Sequence, residues 1–423
     1  MCANLTSIVR KYFSGPGSDY RFVPARSITL PPIDKTDLYI HIPFCKNMCP
    51  YCPYNKVEYD KALASRYKDA LLREIEFYRE RLGRIEITSV YVGGGTPTNL
   101  IDELFEIVSS LRKNFEITGE LAIETTPSDI SEEVVKKLSR WGFGLVSLGV
   151  QSFNEKYLEL IGRNYASETL DSAIRKTLKA GFKTVNIDLM FALPGQTVEE
   201  MLADIKKAVD HGVDQITLYP LFTFPYSRTG HYLHLKKVRM PNLQLRRVMY
   251  KSMHDYLEAS GFERVSVWGF RRGDPPRYSS VTRNKYIGLG AGAASYLPGV
   301  FYFNTFPPEA YIESCLDGKL PVSLKMDVSE SMERFYWLYW RFYDTYIPKS
   351  QLNIKISKDL RKIRTPLEIA RILGIWTQDK HTISLTERGS FWLHLAQNYF
   401  ILNYIDKVWS ESIKQPWPKE IKI

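Results

Sequence analysis

The chain has 423 residues, 44% hydrophobic and 25% charged, and 57 Lys and Arg outweigh 47 Asp and Glu to leave a net charge of +10. A chain of this length buries a large core and carries a smaller second unit. It has no apolar run near the roughly 20 residues that cross a bilayer, so no membrane insertion is expected. Five cysteines are too few for a disulfide framework. The opening Met-Cys-Ala-Asn-Leu-Thr-Ser lacks the basic-then-apolar layout of a secretory signal, which makes the cytoplasm the expected compartment. Positive charge is spread along predicted helices at Arg79–Arg84 and Lys136–Arg140, with denser patches at His234–Arg239, Arg246–Arg247 and Arg271–Arg283. No nucleic-acid signature accompanies them, so solubility or a polycarboxylate small molecule is the expected use, without nucleic acid.

In chain order, the first 36 residues are irregular and marked by Gly and Pro. Short β-branched runs then alternate with longer amphipathic ones. Strands are expected at Leu38–Ile42, Thr88–Gly93, Leu121–Thr125, Leu145–Val150, Thr184–Phe191 and Gln215–Pro220. Helices are expected between them at Lys61–Leu82, Ile101–Phe115, Ser131–Trp141, Ser167–Ala180 and Val198–His211. Such alternation predicts parallel strands with right-handed crossovers, a partial (β/α) barrel too short to close at eight. Residues from about 240 to 324 read as extensions of this core. Beyond Val328 the composition turns to aromatic and basic helices, with helix, helix, strand pair and helix over Arg364–Phe400 and a turn at Leu385–Gly389.

The first strand runs into Tyr39-Ile-His-Ile-Pro-Phe-Cys-Lys-Asn-Met-Cys-Pro-Tyr-Cys52. Three thiolates at this spacing can hold three irons of a [4Fe–4S] cube and leave the fourth open. A zinc site calls for a fourth Cys or His at compatible spacing, and none follows. Cys2 reads as a terminal thiol and Cys315 as a buried or helix-borne one. Gly93-Gly-Gly-Thr-Pro97 sits between the second strand and its helix, where backbone without side chains can approach a ligand closely. Glu124, Gln151, Arg163 and Asp188 stand at or near later strand ends, the face on which barrel enzymes keep their chemistry. His231 and His234 read as an exposed segment, and His41 as a packed residue that seats the cysteine loop.

The CxxxCxxC run resembles the radical S-adenosylmethionine (SAM) enzymes. The wording around it resembles the branch holding oxygen-independent coproporphyrinogen III oxidase and the related haem chaperone. The resemblance implies an α/β fold, a partial (β/α)6 barrel with a small helical, winged-helix-like C-terminal domain. The division it suggests is an N-terminal extension over 1–36, a core over 37–327 and a helical domain over 328–423. It implies a [4Fe–4S] cluster on Cys45, Cys49 and Cys52, and SAM on the open iron. Gly94, Gly95 and Thr96 match the motif that holds the SAM amino group, and Tyr39 a tyrosine that contacts this SAM. Tyr51 takes an aromatic position of the family, and Glu124 that of another SAM contact. Thr96, Gln151, Arg163 and Asp188 match positions near a second SAM. No further catalytic residue is assigned.

The implied partners are a small-molecule substrate, with tetrapyrroles among the candidates, and an electron donor such as flavodoxin or ferredoxin. The expected function is a radical SAM enzyme that oxidises or modifies such a substrate. A C-methyltransferase with two SAM molecules and a non-enzymatic haem carrier are the alternatives. Two departures bear on the choice. The oxidase commonly carries a further cysteine just after the triplet, where this chain has Pro53 and Tyr54. The chaperone's His-Asn-x-x-Tyr-Trp element is replaced by Val281-Thr-Arg-Asn-Lys-Tyr-Ile-Gly-Leu-Gly-Ala-Gly292, which keeps the glycines without the histidine or tryptophan.

Overall fold

The structure, a computed structural model, describes residues 20–222, 240–279, 283–356, 360–400, 402 and 405–423. Cys2, His231, His234 and the patch His234–Arg239 lie outside the described residues. Six parallel strands stand side by side in sequence order: β1 Lys35–Ile42, β2 Glu86–Gly94, β3 Leu121–Thr125, β4 Phe143–Gln151, β5 Thr184–Phe191 and β6 Gln215–Pro220. The crossovers are α1 Lys61–Leu82, α2 Leu104–Asn114, α3 Glu132–Arg140, a short α4 Glu155–Leu160 with α5 Ser167–Lys179, and α6 Val198–Asp210. Parallel strands need such helices on their outer face, which explains why the strand residues are buried on both sides. Helix starts follow capping chemistry. Asp60 accepts from Leu63 N, Ser131 from Val134 N, and Thr197 with Glu200 closes a capping box on α6.

The expected strands and helices are present, with shifted ends. β1 begins at Lys35 rather than Leu38, because Lys35 pairs with Glu86 and Asp37 with Tyr286. α2 begins at Leu104 rather than Ile101, because Pro97–Leu100 form a 3-10 turn first. The six strands do not close. On one edge β6 is followed by antiparallel β8 Gly269–Arg272 and β7 Phe262–Arg264, with α7 Leu243–Ala259 ahead of them. On the other edge β9 Tyr286–Leu289 runs parallel to β1. It leads to an antiparallel meander of β10 Ala294–Leu297, β11 Val300–Asn304 and β12 Val322–Asp327, with α8 Pro308–Leu316 inserted before β12. Tyr91, Ala122, Leu145, Tyr278, Tyr286 and Tyr296 fill the lumen from the amino ends of the strands. Met332 and Tyr336 of α9 Glu330–Tyr343 pack against them.

The described C-terminal elements include a three-stranded antiparallel sheet of β13 Tyr346–Pro348, β15 Thr382–Leu385 and β14 Trp376–Gln378. Helices α10 Lys349–Ile356, α11 Leu360–Ile372, α12 Glu387–Phe400 and α13 Asp406–Lys414 accompany it. Arg364–Phe400 thus holds one helix before the strand pair, not two. The expected turn at Leu385–Gly389 shrinks to Thr386, whose Oγ1 accepts from Gly389 N at the start of α12. Gly389 is helical, and a Cβ there would lie 1.9 Å from the Ile375 carbonyl oxygen, so this glycine serves close packing. Two of the basic patches are partly neutralised: Arg247 pairs with Glu387, and Arg271 with Glu263 and Asp274. Among the described residues no helix is long and apolar enough to cross a membrane.

A buried carboxylate ties the barrel to the meander. Glu74 on α1 is 1% exposed and accepts from Gly290 N (2.8 Å), Tyr311 Oη (2.6 Å) and Asn304 Nδ2 (2.7 Å). Burial pushes its carboxyl up to about 7 against those three donors. Glu74→Ala leaves all three donors buried without their acceptor and is expected to cost at least about 2 kcal/mol. A urea midpoint equal to that of the parent protein would contradict this.

Candidate active site

The cysteine loop is held from three sides. Phe44–Cys45 pairs with Val57–Glu58, and Lys56 Nζ donates to the Cys52 carbonyl. The Gly93–Pro97 turn closes over the loop, with Gly95 N donating to Ile42 O at 2.7 Å and Thr96 N to Phe44 O at 2.9 Å. Gly95 has to be glycine, because a Cβ would stand 2.7 Å from the Pro43 carbonyl carbon. Gly94 has φ +117°, and a Cβ there would press on the His41 ring.

His41 supports the loop from beneath. Its ring is buried, which lowers its pKa to about 4 and keeps it neutral. Nε2 lies 2.8 Å from the Asn55 carbonyl and Nδ1 2.7 Å from Tyr39 Oη. A carbonyl only accepts, so Nε2 carries the proton and Nδ1 accepts from Tyr39. Asn55 Nδ2 donates in turn to the Ala291 and Phe306 carbonyls. Tyr67 Oη accepts from Ala291 N and donates to the His41 carbonyl. The sequence reading of His41 is thereby given its partners.

Cys45, Cys49 and Cys52 line one cavity together with Thr96, Asp129 and Arg163. Among the described residues no group of His, Cys, Asp and Glu side chains is arranged to hold a single ion. The three thiols line the same cavity, and a cluster takes one thiolate per iron. Burial pushes the Cys45 thiol up to about 11 against the Thr96 hydroxyl, so loading metal must displace protons. Arg163 Nη1 donates to the Gly149 carbonyl at 2.7 Å, while its Nε is buried with no hydrogen-bond partner. Arg163 lines the cavity, so its guanidinium brings positive charge to the thiols. Tyr51 is buried beside this guanidinium.

Glu124 accepts from Tyr91 Oη and from Gly94 N at 3.3 Å. Asp188 accepts from Ser147 Oγ and Asn186 Nδ2, each at 2.9 Å. Gln151 closes β4 with φ +73°, a left-handed conformation that non-glycine residues rarely adopt, and accepts from Tyr219 Oη at 2.6 Å. Seven of the twelve residues named from the sequence, Cys45, Cys49, Tyr51, Cys52, Gly95, Thr96 and Arg163, line the cysteine cavity, whereas Tyr39 and Asp188 lie within β1 and β5 rather than at their ends. Sequence reading missed their supports, namely Asn55, Tyr67, Tyr91, Ser147, Asn186 and Tyr219. The period-2 alternation along β4, β5 and β6 was the available signal, since Ser147, Gly149, Gln151, Asn186, Asp188 and Tyr219 share the lumen face.

A family model described as the radical SAM superfamily matches residues 39–208. A haem chaperone HemW of Lactococcus lactis is 30% identical over 282 residues, covering 65% of this chain and 73% of the relative. The chain belongs to the radical SAM haem chaperone and coproporphyrinogen III oxidase family. Members of the radical SAM family use a [4Fe–4S] cluster and SAM. This radical SAM protein is also 27% identical to the anaerobilin synthase of Escherichia coli O157:H7, over 84% of its own length and 81% of the relative's. Its fold matches the coproporphyrinogen III oxidase HemN from Escherichia coli with a TM-score of 0.74 at 21% identity, covering 86% of one chain and 90% of the other.

Burial, and then the charge of Glu124, push the Asp188 carboxyl up to about 7. A raised carboxyl pKa gives stability that is complete below the unfolded value of about 3.9 and is lost as pH rises through about 7. Asp188→Asn lacks this dependence. Its melting temperature is expected to gain on that of the parent protein between pH 6 and pH 8.5, and a constant difference across that range would remove the assignment.

Proposed function

We infer that this chain is a radical SAM enzyme acting on a small molecule of the tetrapyrrole class. One observation carries the reading: three thiols, Thr96 of the glycine turn and Arg163 meet at one cavity of an unclosed barrel. Bound there, a [4Fe–4S] cluster and SAM would supply radical hydrogen-abstraction chemistry. Cys45, Cys49 and Cys52 would each ligate one iron. Gly94, Gly95 and Thr96 would hold the amino group of SAM, with Tyr39 and Tyr51 at its flanks. Glu124 and Asp188 would accept from hydroxyls, and Arg163 would pair with a carboxylate. Thr96, Gln151, Arg163 and Asp188 are also the residues proposed for a second SAM. The tyrosines in the lumen would keep water from rising between the strands. In this proposal residues 37–327 bind the reactants and residues 328–423 cover them. A cytoplasmic one-electron donor such as flavodoxin or ferredoxin completes the system.

The synthase name borne by a relative that aligns along most of both chains supports an enzyme, and methyl transfer from the second SAM is one form of it. The name of the Lactococcus relative favours a second reading, a haem carrier. Against the carrier stands the loss of the histidine and tryptophan of the chaperone element around Arg283–Ile287.

Anaerobically reconstituted protein is expected to hold about four irons per chain. Replacing any of Cys45, Cys49 or Cys52 with Ala should abolish assembly, while Cys315→Ala, buried on α8, leaves iron content intact. One tightly bound zinc without iron would refute the cluster.

Reduced with dithionite, the protein should release 5′-deoxyadenosine from SAM, faster when its substrate is present. Methyl-deuterated SAM with coproporphyrinogen III or haem separates the outcomes. Label in product marks methyl transfer, and unlabelled decarboxylated product marks oxidation. Stoichiometric haem binding without substrate-dependent SAM turnover would sink the enzyme reading in favour of the carrier.

A further inference from the structure

The segment from Gln151 to Arg163 leaves β4 and comes back to the cysteine loop. Gly162, with φ +73°, lies against Pro50, where a Cβ would stand 2.7 Å from the proline Cδ. The segment opens under strain. Gln151 is 4% exposed and left-handed, and the ladder to β5 shifts register between Gly149 and Gln151. A non-glycine residue keeps such a conformation only where its surroundings over-determine it, and a bulge of this kind re-aims a side chain. A Cβ on Gly149 would stand 3.0 Å from Gln151 Nε2 and 3.6 Å from Arg163 Nη1. Amide and guanidinium thus crowd into the space that Gly149 leaves vacant, and Arg163 also lines the cavity of the thiols.

Two groups hold Gln151 there. Tyr219 Oη donates to its Oε1, which fixes the amide, while Asp204 on α6 fixes the backbone that follows. The Asp204 carboxylate is buried and accepts from Ser152 Oγ at 2.6 Å and from Phe153 N at 2.8 Å. Ser152 Oγ accepts in turn from Asn154 N at 3.1 Å, and Asn154 Oδ1 caps α4 by accepting from Lys156 N. The far end of α4 holds Arg163, whose N donates to the Leu158 carbonyl at 2.8 Å. One carboxylate therefore secures the two residues after Gln151 and the start of the helix that leads to Arg163. Packing does not call for it. The other buried residues of α6, Met201, Ile205 and Ala208, are apolar, and a buried charge is costly. Burial pushes the Asp204 carboxyl up to about 6, while Lys207, one turn further along α6, pairs with Asp171 at 3.1 Å.

We propose that Asp204 is a positioning residue for SAM, which clamps the turn after β4 so that the Gln151 amide stays beside the Arg163 guanidinium over Gly149. The inference rests on the reading above that Gln151 and Arg163 contact SAM; the clamp itself rests on the bonds to Ser152 and Phe153. Without the carboxylate the turn relaxes from its left-handed conformation, and the amide leaves its place beside Arg163.

The test uses anaerobically reconstituted protein and titrates SAM against the spectrum of the reduced cluster. Asp204→Asn turns an amide nitrogen toward one of the two donors and should bind SAM roughly tenfold more weakly, with iron content and the SAM-free spectrum unchanged. Ser152→Ala removes one donor of the clamp and should shift SAM binding the same way, which keeps the test open where Asp204→Asn does not fold. Gln151→Ala should weaken SAM by a similar factor. Adding Asp204→Asn to it should cost nothing further, because the carboxylate acts through Gln151. Losses that multiply in the double variant overturn the positioning role and leave the SAM reading standing. So does unchanged SAM binding in Asp204→Asn and Ser152→Ala beside a lowered melting temperature, the mark of a purely structural carboxylate. If Gln151→Ala and Arg163→Ala bind SAM as the parent does, the assignment of these two residues falls and the inference with it. No SAM binding by the parent protein overturns both.

Discussion

The geometry of the site depends on a neutral histidine. His41 is buried at the end of β1, and only its uncharged form can accept from Tyr39 while donating to the Asn55 carbonyl. That pair of bonds fixes both ends of the cysteine loop, because Tyr39 precedes it and Asn55 follows Cys52 by three residues. The Gly94–Gly95 turn can then lie against His41 and Pro43 without side chains of its own. Burial, not a lack of acceptors, keeps the ring uncharged, since the Tyr39 hydroxyl could also accept. Cluster loop, glycine turn and Glu124, which accepts from Gly94 N, are therefore aligned by one tautomer.

The second constraint is that the sheet does not close. Parallel β9 on one edge and antiparallel β8 on the other satisfy backbone groups that a closed barrel would pair with each other. The lumen is tyrosine-rich toward the amino ends of the strands and turns polar by mid-strand, where Asn186 bridges Ser147, Asp188 and Thr217. Such a gradient keeps carboxylates desolvated at the mouth while the base stays packed, which is why Asp188 carries so high a pKa.

Much of this was legible in the sequence. Hydrophobic period and turn residues located all six parallel strands, and the cysteine spacing located the cavity that Cys45, Cys49 and Cys52 line. What escaped were interactions between residues far apart in the chain. Lys35–Asp37 belong to β1 only because Glu86 and Tyr286 pair with them. Glu74 reads as a helix-face charge until Gly290, Asn304 and Tyr311 surround it. Gly389 reads as a turn because the Ile375 carbonyl that excludes a side chain there is invisible from local sequence. The dense positive patch at Arg271–Arg283 likewise hides two situations. Arg271 is paired with nearby acids, while Arg277 and Arg283 share one carboxylate with Arg341.

The hydrogen bond from Asn55 to Phe306 joins residues 251 positions apart. It has a consequence for the order in which the protein matures. When Cys52 leaves the ribosome, the backing of its loop has not been synthesised, and an amino-terminal fragment that stops short of Phe306 lacks that acceptor. Closing so long a loop comes late, since its entropy must be met before the contact forms. Assembly of the iron site is thereby coupled to completion of the meander, and a partly made chain has no finished cradle in which to trap metal.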